Sequence, residues 1–487
     1  MKKIKNSILA KKTYNYWLKN KEKIFSYEKD KIYLGLDLIK KIDFFSNKIR
    51  SFNINNGTIF INSFNSFEWI SIYLASKINN ISIIIIPTTV DLNKISKLKK
   101  IINPNLIFTK NKLKFQKSKN NIFFKYIKNE INIKKNLTYE FLFTTGTTSL
   151  PKGVCISERA YLTTSKYLIK LLKQKRNDCE LLSMPFSHSF GLTRLRTCLY
   201  NYQSIYITDG LKNIPEIFKN IKNYDVKGLS LVPSALELLK LFINKKIKEI
   251  SSQINYMEIG SSSLNLQMRK WLKKNFHKAV IQHHFGTTEA SRSFFVPRGF
   301  RDNLKIKSNW IGYRANYVKF KVTNLKDPKK NGKTGELNIS GKNLASGYIF
   351  NKDNKNFLDN YFKTSDIVKI INKKIYFLGR KDSIIDIGGE KILPEEYEDK
   401  IEMIKDVKIC LCGTFPDKIM GHRIAAIIVP RKNSQKYKKY IKSKIDDIFR
   451  NEAIYKKPNI IKFKKKIKLT FNGKKNRKLK YFYSLVK

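Results

Sequence analysis

Acidic residues are scarce. Against 98 lysines and arginines the 487-residue chain sets only 38 aspartates and glutamates, a formal charge of +60. Such an imbalance promotes non-specific adhesion to polyanions at low salt and draws in anionic small molecules. Specific nucleic-acid binding would gather the basic residues into a stripe, with arginine prominent and aromatics interleaved. Here lysine is spread along the whole chain among asparagine and isoleucine, a compositional bias, so no specific nucleic-acid partner is expected. Also missing is any run of 18 consecutive apolar residues, and with it the signal of a membrane-spanning helix. The start, MKKIKNSILAKK, returns to lysine before an apolar signal segment develops. Cysteine is limited to Cys155, Cys179, Cys198, Cys410 and Cys412. Cys410 and Cys412 are spaced to share one strand face, but no second pair or nearby histidine completes a zinc site. Buried free thiols in a reducing compartment are expected, and with them a soluble cytoplasmic protein.

What is present is enough for a large core. Apolar residues make up 42% and aromatics 13% of the chain, the balance of a globular protein, and the length suggests about three domain-sized units. Apolar spacing predicts a helix over Tyr33–Arg50, then a strand at 57–62, a helix at 67–78, a buried strand at 81–86, a helix at 91–102 and a strand at 106–109. That alternation argues for layered α/β structure with parallel sheets. Further on, Leu181–Leu192 reads as a strand ending in a turn around His188.

The stretch Glu140–Ile156, EFLFTTGTTSLPKGVCI, carries the clearest chemistry. A strand-like apolar run leads into Thr144, Thr145, Gly146, Thr147 and Thr148, and Lys152 stands before a second apolar run. Gly146 can take positive φ and let the backbone approach a ligand. Hydroxyls, backbone N–H groups and the Lys152 charge suit phosphate oxygens. A Thr/Gly-rich hairpin turn is the bland alternative, and the order is not that of a Walker loop, which needs Gly-Lys-Ser/Thr opening a helix.

The stretch resembles the phosphate loop of the adenylate-forming superfamily: acyl-CoA synthetases, aryl-acid ligases, adenylation domains and luciferases. Six further segments are similar to that superfamily's motifs and come in its order. Pro185, His188 and Gly191 match a Pro-x-x-His-x-x-Gly segment. The resemblance implies an acyl pocket at His188, Phe190 and Gly191, where a lone histidine would otherwise read as structural. No acidic residue between Met184 and Leu195 stands ready to pair a substrate ammonium. Gly260, Ser261 and Ser262 would lie against the adenine, with Phe285; a helix cap is the alternative there. Phe285-Gly-Thr-Thr288-Glu289 resembles the aromatic-Gly-x-Thr-Glu signature, which implies Thr288 on a phosphate oxygen and Glu289 on magnesium. The segment 334–348 is similar to a scaffold segment of the family. Asp366 and Arg380 would take the ribose hydroxyls, and Asp382 would be the hinge. Ser149 and Ser365 stand where the family has glycine, and Asp386 where some relatives have lysine. Near the end, Gly473-Lys474-x-x-Arg477 reproduces the spacing of a loop whose lysine reaches into the site.

The resemblance implies a fold and a reaction. The fold is α/β: a large N-terminal domain of layered α/β subdomains with parallel sheets, residues 1–381, and a small mobile C-terminal α+β lid, residues 382–487. The reaction joins a carboxylic acid to ATP with Mg2+, releases pyrophosphate, and passes the acyl-adenylate to a thiol. That thiol is coenzyme A or the phosphopantetheine of an acyl or peptidyl carrier protein. Lys474, Thr288 and Glu289 would carry the catalysis. A degenerate acyl- and nucleotide-binding protein, and a basic nucleic-acid binder, are the competing readings.

Overall fold

The computed structural model describes residues 7–54, 57–110, 112–116, 139–144, 152–243, 246–297, 309–325, 327, 330–349, 355–387, 390–417, 421–452, 457–469, 475–477 and 479–486. Thr145, Gly146, Thr147, Thr148 and Lys474 lie outside the described residues.

Isoleucine-rich runs that are apolar on both faces build two sheets flanked by helices, as parallel strands require. In the first, of 7 strands, Leu106–Thr109, Thr58–Asn62, Ser82–Ile85 and Glu140–Phe143 run parallel, and Gly153–Ile156 returns antiparallel to the last of them. In the second, of 9 strands, Val280–Phe285, Tyr256–Ile259, Val226–Leu231, Cys179–Leu182, Ser204–Ile207 and Ile24–Glu28 are parallel in that order. A third, antiparallel sheet of 5 strands holds Thr334–Gly341, Tyr361–Ile371 and Lys374–Arg380. These are the expected α/β layers.

Beyond residue 391 the chain makes its own apolar clusters, one around Ile401, Cys410 and Ile428, the other around Leu411, Ile427 and Phe482. Strands Val407–Asp417, Gly421–Pro430 and Ile460–Phe463 form their sheet. Cys410 and Cys412 do share a buried strand face, their sulfurs 3.6 Å apart. Among the described residues no helix is long and apolar enough to cross a membrane.

Two local expectations change. Lys31–Leu34 is a strand, and the helix begins only at Gly35, whose backbone lies so close to Asn20 that a Cβ would stand 2.6 Å from its carbonyl oxygen. The strand Cys179–Leu182 ends early, the expected turn at His188 is closed by its amide on the Pro185 carbonyl at 3.0 Å, and a helix, Ser189–Asn201, follows in place of the strand's expected end at Leu192. Every residue of that helix from Phe190 to Leu199 is buried, Arg194 and Arg196 included, so it lacks the one-sided apolar stripe that would mark it in the sequence.

Candidate active site

The segments singled out by their motifs meet at one cleft of about 2980 Å³, which the C-terminal unit also lines. At one end the Thr144 amide donates to the Lys152 carbonyl at 3.0 Å, closing the base of the segment between them. The strand below is anchored from beneath. Glu140, fully buried, is paired with Lys77 and Arg196 and accepts from the Tyr73 hydroxyl at 2.8 Å. Burial pushes the Lys77 ammonium down to about 7.

The Lys152 ammonium sits 5.3 Å over the Tyr348 ring, and the Tyr348 hydroxyl donates to Glu289 Oε1 at 2.7 Å. Tyr348 thus joins the expected phosphate cation to the expected magnesium carboxylate. Thr288 and Glu289 line the cleft on a tight loop closed by the Ser293 amide on the Phe285 carbonyl, 3.0 Å. Gly286 is required there, since a Cβ would stand 2.6 Å from the Arg292 nitrogen.

Opposite, the strand Tyr256–Ile259 ends at Gly260, and Ser261 takes a left-handed φ of 78°. His283 Nε2 lies 2.8 Å from the Ser262 carbonyl oxygen. Burial pushes His283 down to about 4, so the neutral ring carries its proton on Nε2 and donates it. Ser261, Ser262 and Phe285 line the cleft, and Gly260 lies just behind.

At the expected ribose position Arg380 donates to Asp366 Oδ1 at 2.9 Å, to the Thr364 carbonyl at 2.8 Å and to Asp382 Oδ1 at 3.2 Å. One guanidinium therefore spans the expected ribose carboxylate and the expected hinge. Ser365 has φ 60°, the conformation that glycine adopts without penalty. This gives the family's glycine there a backbone reason, and the serine is accommodated at a modest conformational cost.

His188 lines the cleft, and burial pushes it down to about 4, a neutral imidazole. Phe190 and Gly191 are buried behind the lining rather than on it. Gly191 lets the start of its helix approach the Met184 and Pro185 carbonyl oxygens, 2.5 and 2.3 Å from a would-be Cβ.

Three features escape the sequence reading. Glu258, fully buried, accepts from Arg292 Nε at 3.0 Å and Arg194 at 3.2 Å, and His284 Nδ1 lies 2.8 Å from its Oε1. Burial pushes Glu258 up, but these cations outweigh it and hold the carboxyl well below the ordinary range. Arg292 also donates to the Ser189 and Phe190 carbonyls, 3.0 and 3.1 Å. It therefore ties the signature loop to the expected acyl segment. Tyr348, expected as scaffold, reaches Glu289. In the C-terminal unit Arg477 grips Glu398 with two bonds of 2.7 Å, and Lys475 lies 2.6 Å from Glu398 and 2.8 Å from Glu402. For Glu258 the signal was a carboxylate set inside an apolar strand, whereas Glu398 lies among Glu395, Glu396, Asp399 and Lys400, a run that reads as a solvated face.

The AMP-binding enzyme family model matches residues 36–349, well over half of the chain. The chain belongs to the AMP-binding enzyme family. This AMP-binding enzyme is 25% identical over 353 residues to a D-alanine–D-alanyl carrier protein ligase of Bacillus licheniformis, with 70% of each chain covered. It is 27% identical over 285 residues to a 2-succinylbenzoate–CoA ligase of Staphylococcus epidermidis, covering 58% of this chain and 57% of that one. In fold it is similar to ATP-bound MatB from Rhodopseudomonas palustris (TM-score 0.81, 18% identity, 98% and 99% of the two chains). It also resembles o-succinylbenzoate CoA synthetase from Bacillus subtilis with its acyl-adenylate (TM-score 0.76, 17% identity, 97% of each). This AMP-binding enzyme is accordingly a ligase of the adenylate-forming type.

Proposed function

We propose that the chain activates a carboxylic acid with ATP, releasing pyrophosphate, and passes the acyl group from the adenylate to a thiol. The observation that carries this reading is the convergence on one cleft of Thr144 and Lys152, Thr288 and Glu289, and Asp366 and Arg380, with Lys475 and Arg477 from the C-terminal unit beside them. The names of the relatives, a carrier-protein ligase and a CoA ligase, support either coenzyme A or a carrier phosphopantetheine as acceptor. Five free, buried cysteines suit a reducing cytoplasm.

The physical difficulty of the first step is that an anion must attack an anion. Lys152 and Thr144 meet the outer phosphates, and Thr288 holds an oxygen of the α-phosphate. Lys474, next to the clamped Lys475, bridges the attacking carboxylate and the phosphate as charge shifts between them. Asp366 takes the ribose hydroxyls through two acceptor oxygens, oriented by Arg380. No group of three or more metal-ligating side chains exists among the described residues. That fits Mg2+, which binds through one or two carboxylates plus substrate phosphates and waters. Glu289 would hold it, and when bound it neutralises the leaving pyrophosphate. For the second step, rotation of the C-terminal unit about Asp382 withdraws Lys474 and opens the cleft to the thiol.

The test is ATP–pyrophosphate exchange across a panel of carboxylic acids. At least one acid class should raise exchange roughly tenfold or more above the acid-free background, since one well-used contact is worth about that factor. Nucleotide binding with no acid-dependent exchange anywhere in the panel would leave a binding protein and sink the ligase reading.

A further inference from the structure

We propose that a face outside the cleft binds single-stranded nucleic acid without sequence preference, on a platform of tyrosines set among cations. The tyrosines are Tyr16, Tyr200 and Tyr202, and the cations are Lys12, Lys23, Lys166 and Arg176. None of the seven lines the cleft, so the site stands apart from the ligase reading.

The helix Ile8–Lys19 sets Lys12 and Tyr16 one turn apart on the same side. Tyr16 stacks on Tyr202, centroids 4.2 Å apart at 11°. Lys23 lies 5.9 Å from the Tyr16 ring, and Arg176 5.4 Å from the Tyr202 ring. Lys12 and Lys166 share the Tyr200 ring, at 5.2 and 5.7 Å. All three rings are half-buried and all four cations are exposed. Among the described residues no carboxylate pairs with any of the four, so their positive potential is left to attract an anion from solution.

The backbone points the same way. Tyr202 is held at φ 58° and ψ 36°, a left-handed helix end where glycine or asparagine is usual and a bulky side chain is rare. What the strained position gains is the ring beside Tyr16, and strain of this kind gathers where side chains meet ligands. Nor does composition account for the clustering. Segments 8–23 and 166–176 hold ten basic residues against one acid, Glu22, where the whole chain holds 98 against 38. Lysines spread along the sequence are thus drawn by folding around the same few rings. A single strand supplies both partners that such a surface takes: phosphates for the cations, and unpaired bases that stack on tyrosine and guanidinium. An acidic peptide or a lipid headgroup brings the anion without the base.

Fluorescence anisotropy of the full chain with a labelled oligo(U) of about 15 nucleotides, the upper end of what one such surface spans, tests this at about 150 mM salt. The variant Lys12→Glu/Lys166→Glu/Arg176→Glu should weaken binding at least tenfold. It should also lower the slope of log affinity against log salt by about 2, the share of three single-strand phosphate contacts. The same change of charge on the helix Gln435–Ile448, Lys436→Glu/Lys439→Glu/Lys442→Glu, should weaken it less than about threefold, since distant exposed charges are screened. Tyr202→Gly, which suits the left-handed backbone, should weaken binding about fivefold or more and leave the salt slope unchanged, because stacking carries no charge. Tyr16→Leu should do the same if the glycine variant is poorly folded. Equal losses in the two charge variants overturn the site and leave only net-charge adhesion. So does a folded ring variant that binds like the parent, or an RNA duplex of the same length bound as tightly as the single strand. Binding to phosphatidylserine vesicles that is lost in the first charge variant, with oligo(U) binding unchanged, overturns it in favour of a membrane surface.

Discussion

The body and the C-terminal unit brace their parts of the cleft with the same device, one carboxylate holding two cations, but at different wetness. Around Glu258 the partners Arg194 and Arg292 are each 1% exposed. Around Glu398, itself 2% exposed, Lys475 is 21% and Arg477 30% exposed. Cations that already touch water can be rehydrated when their partner leaves; sealed ones cannot. The part of the cleft that the body lines is therefore built as a fixed surface. The segment beside Lys474 is held by bonds that can be traded for solvent, as the proposed withdrawal of Lys474 between the two steps requires.

The largest effect should come from the C-terminal unit. Lys474→Ala should cut acid-dependent pyrophosphate exchange by about 10²–10³, the usual loss on removing one preorganised electrostatic donor, while ATP affinity measured by calorimetry changes little. Equal exchange by variant and parent would erase the functional half of the comparison. Next comes its structural half. Glu258→Gln should cost about 3–5 kcal/mol in urea unfolding, because it leaves the sealed Arg292 guanidinium without a carboxylate, while Arg194 keeps Glu180. Glu398→Gln should cost only about 1–2 kcal/mol yet still depress exchange, by loosening Lys475 and Arg477. Equal losses of stability would show that the two clusters are not different in kind.

The smallest effect concerns Asp399, on the same helix as Glu398. Burial pushes its carboxyl up to about 7, and the neighbouring carboxylates Glu402, Glu398 and Glu395 add to the rise against an opposing pull from Lys475. The unfolded chain ionises near 4. Between about pH 4 and 7 the folded state therefore holds a proton that the unfolded state has lost. Stability drains across that window and stays lower above it. Asp399→Asn should gain about 1–2 kcal/mol at pH 8, a figure discounted because the side chain is partly solvated, and nothing near pH 4. Chemical unfolding at both values checks the sign, and a gain at pH 4 instead would refute it.

Legibility in the sequence followed locality. The helix Phe67–Ile78 stands where its spacing put it, with Ser66 as cap, and Asp91 caps the helix Leu92–Ile102. Thr144, Lys152, Thr288, Glu289, Asp366 and Arg380 were each recognisable from a few neighbours, and all line the cleft. The helix Ser189–Asn201 was not legible, because burial on all sides erases periodicity. Nor was the placement of Phe190 and Gly191 behind the wall.

By itself the sequence determined the family, the α/β layering and the order of the motifs, since these depend on turn chemistry, apolar period and short-range spacing. Only the tertiary structure decided that Glu258, Arg292, His284 and Phe190, drawn from two strands, a turn and a helix, would meet in one sealed cluster. No local rule pairs a carboxylate with a guanidinium 34 positions away; that pairing follows from which strands lie side by side and from the cost of leaving either charge unmatched away from water.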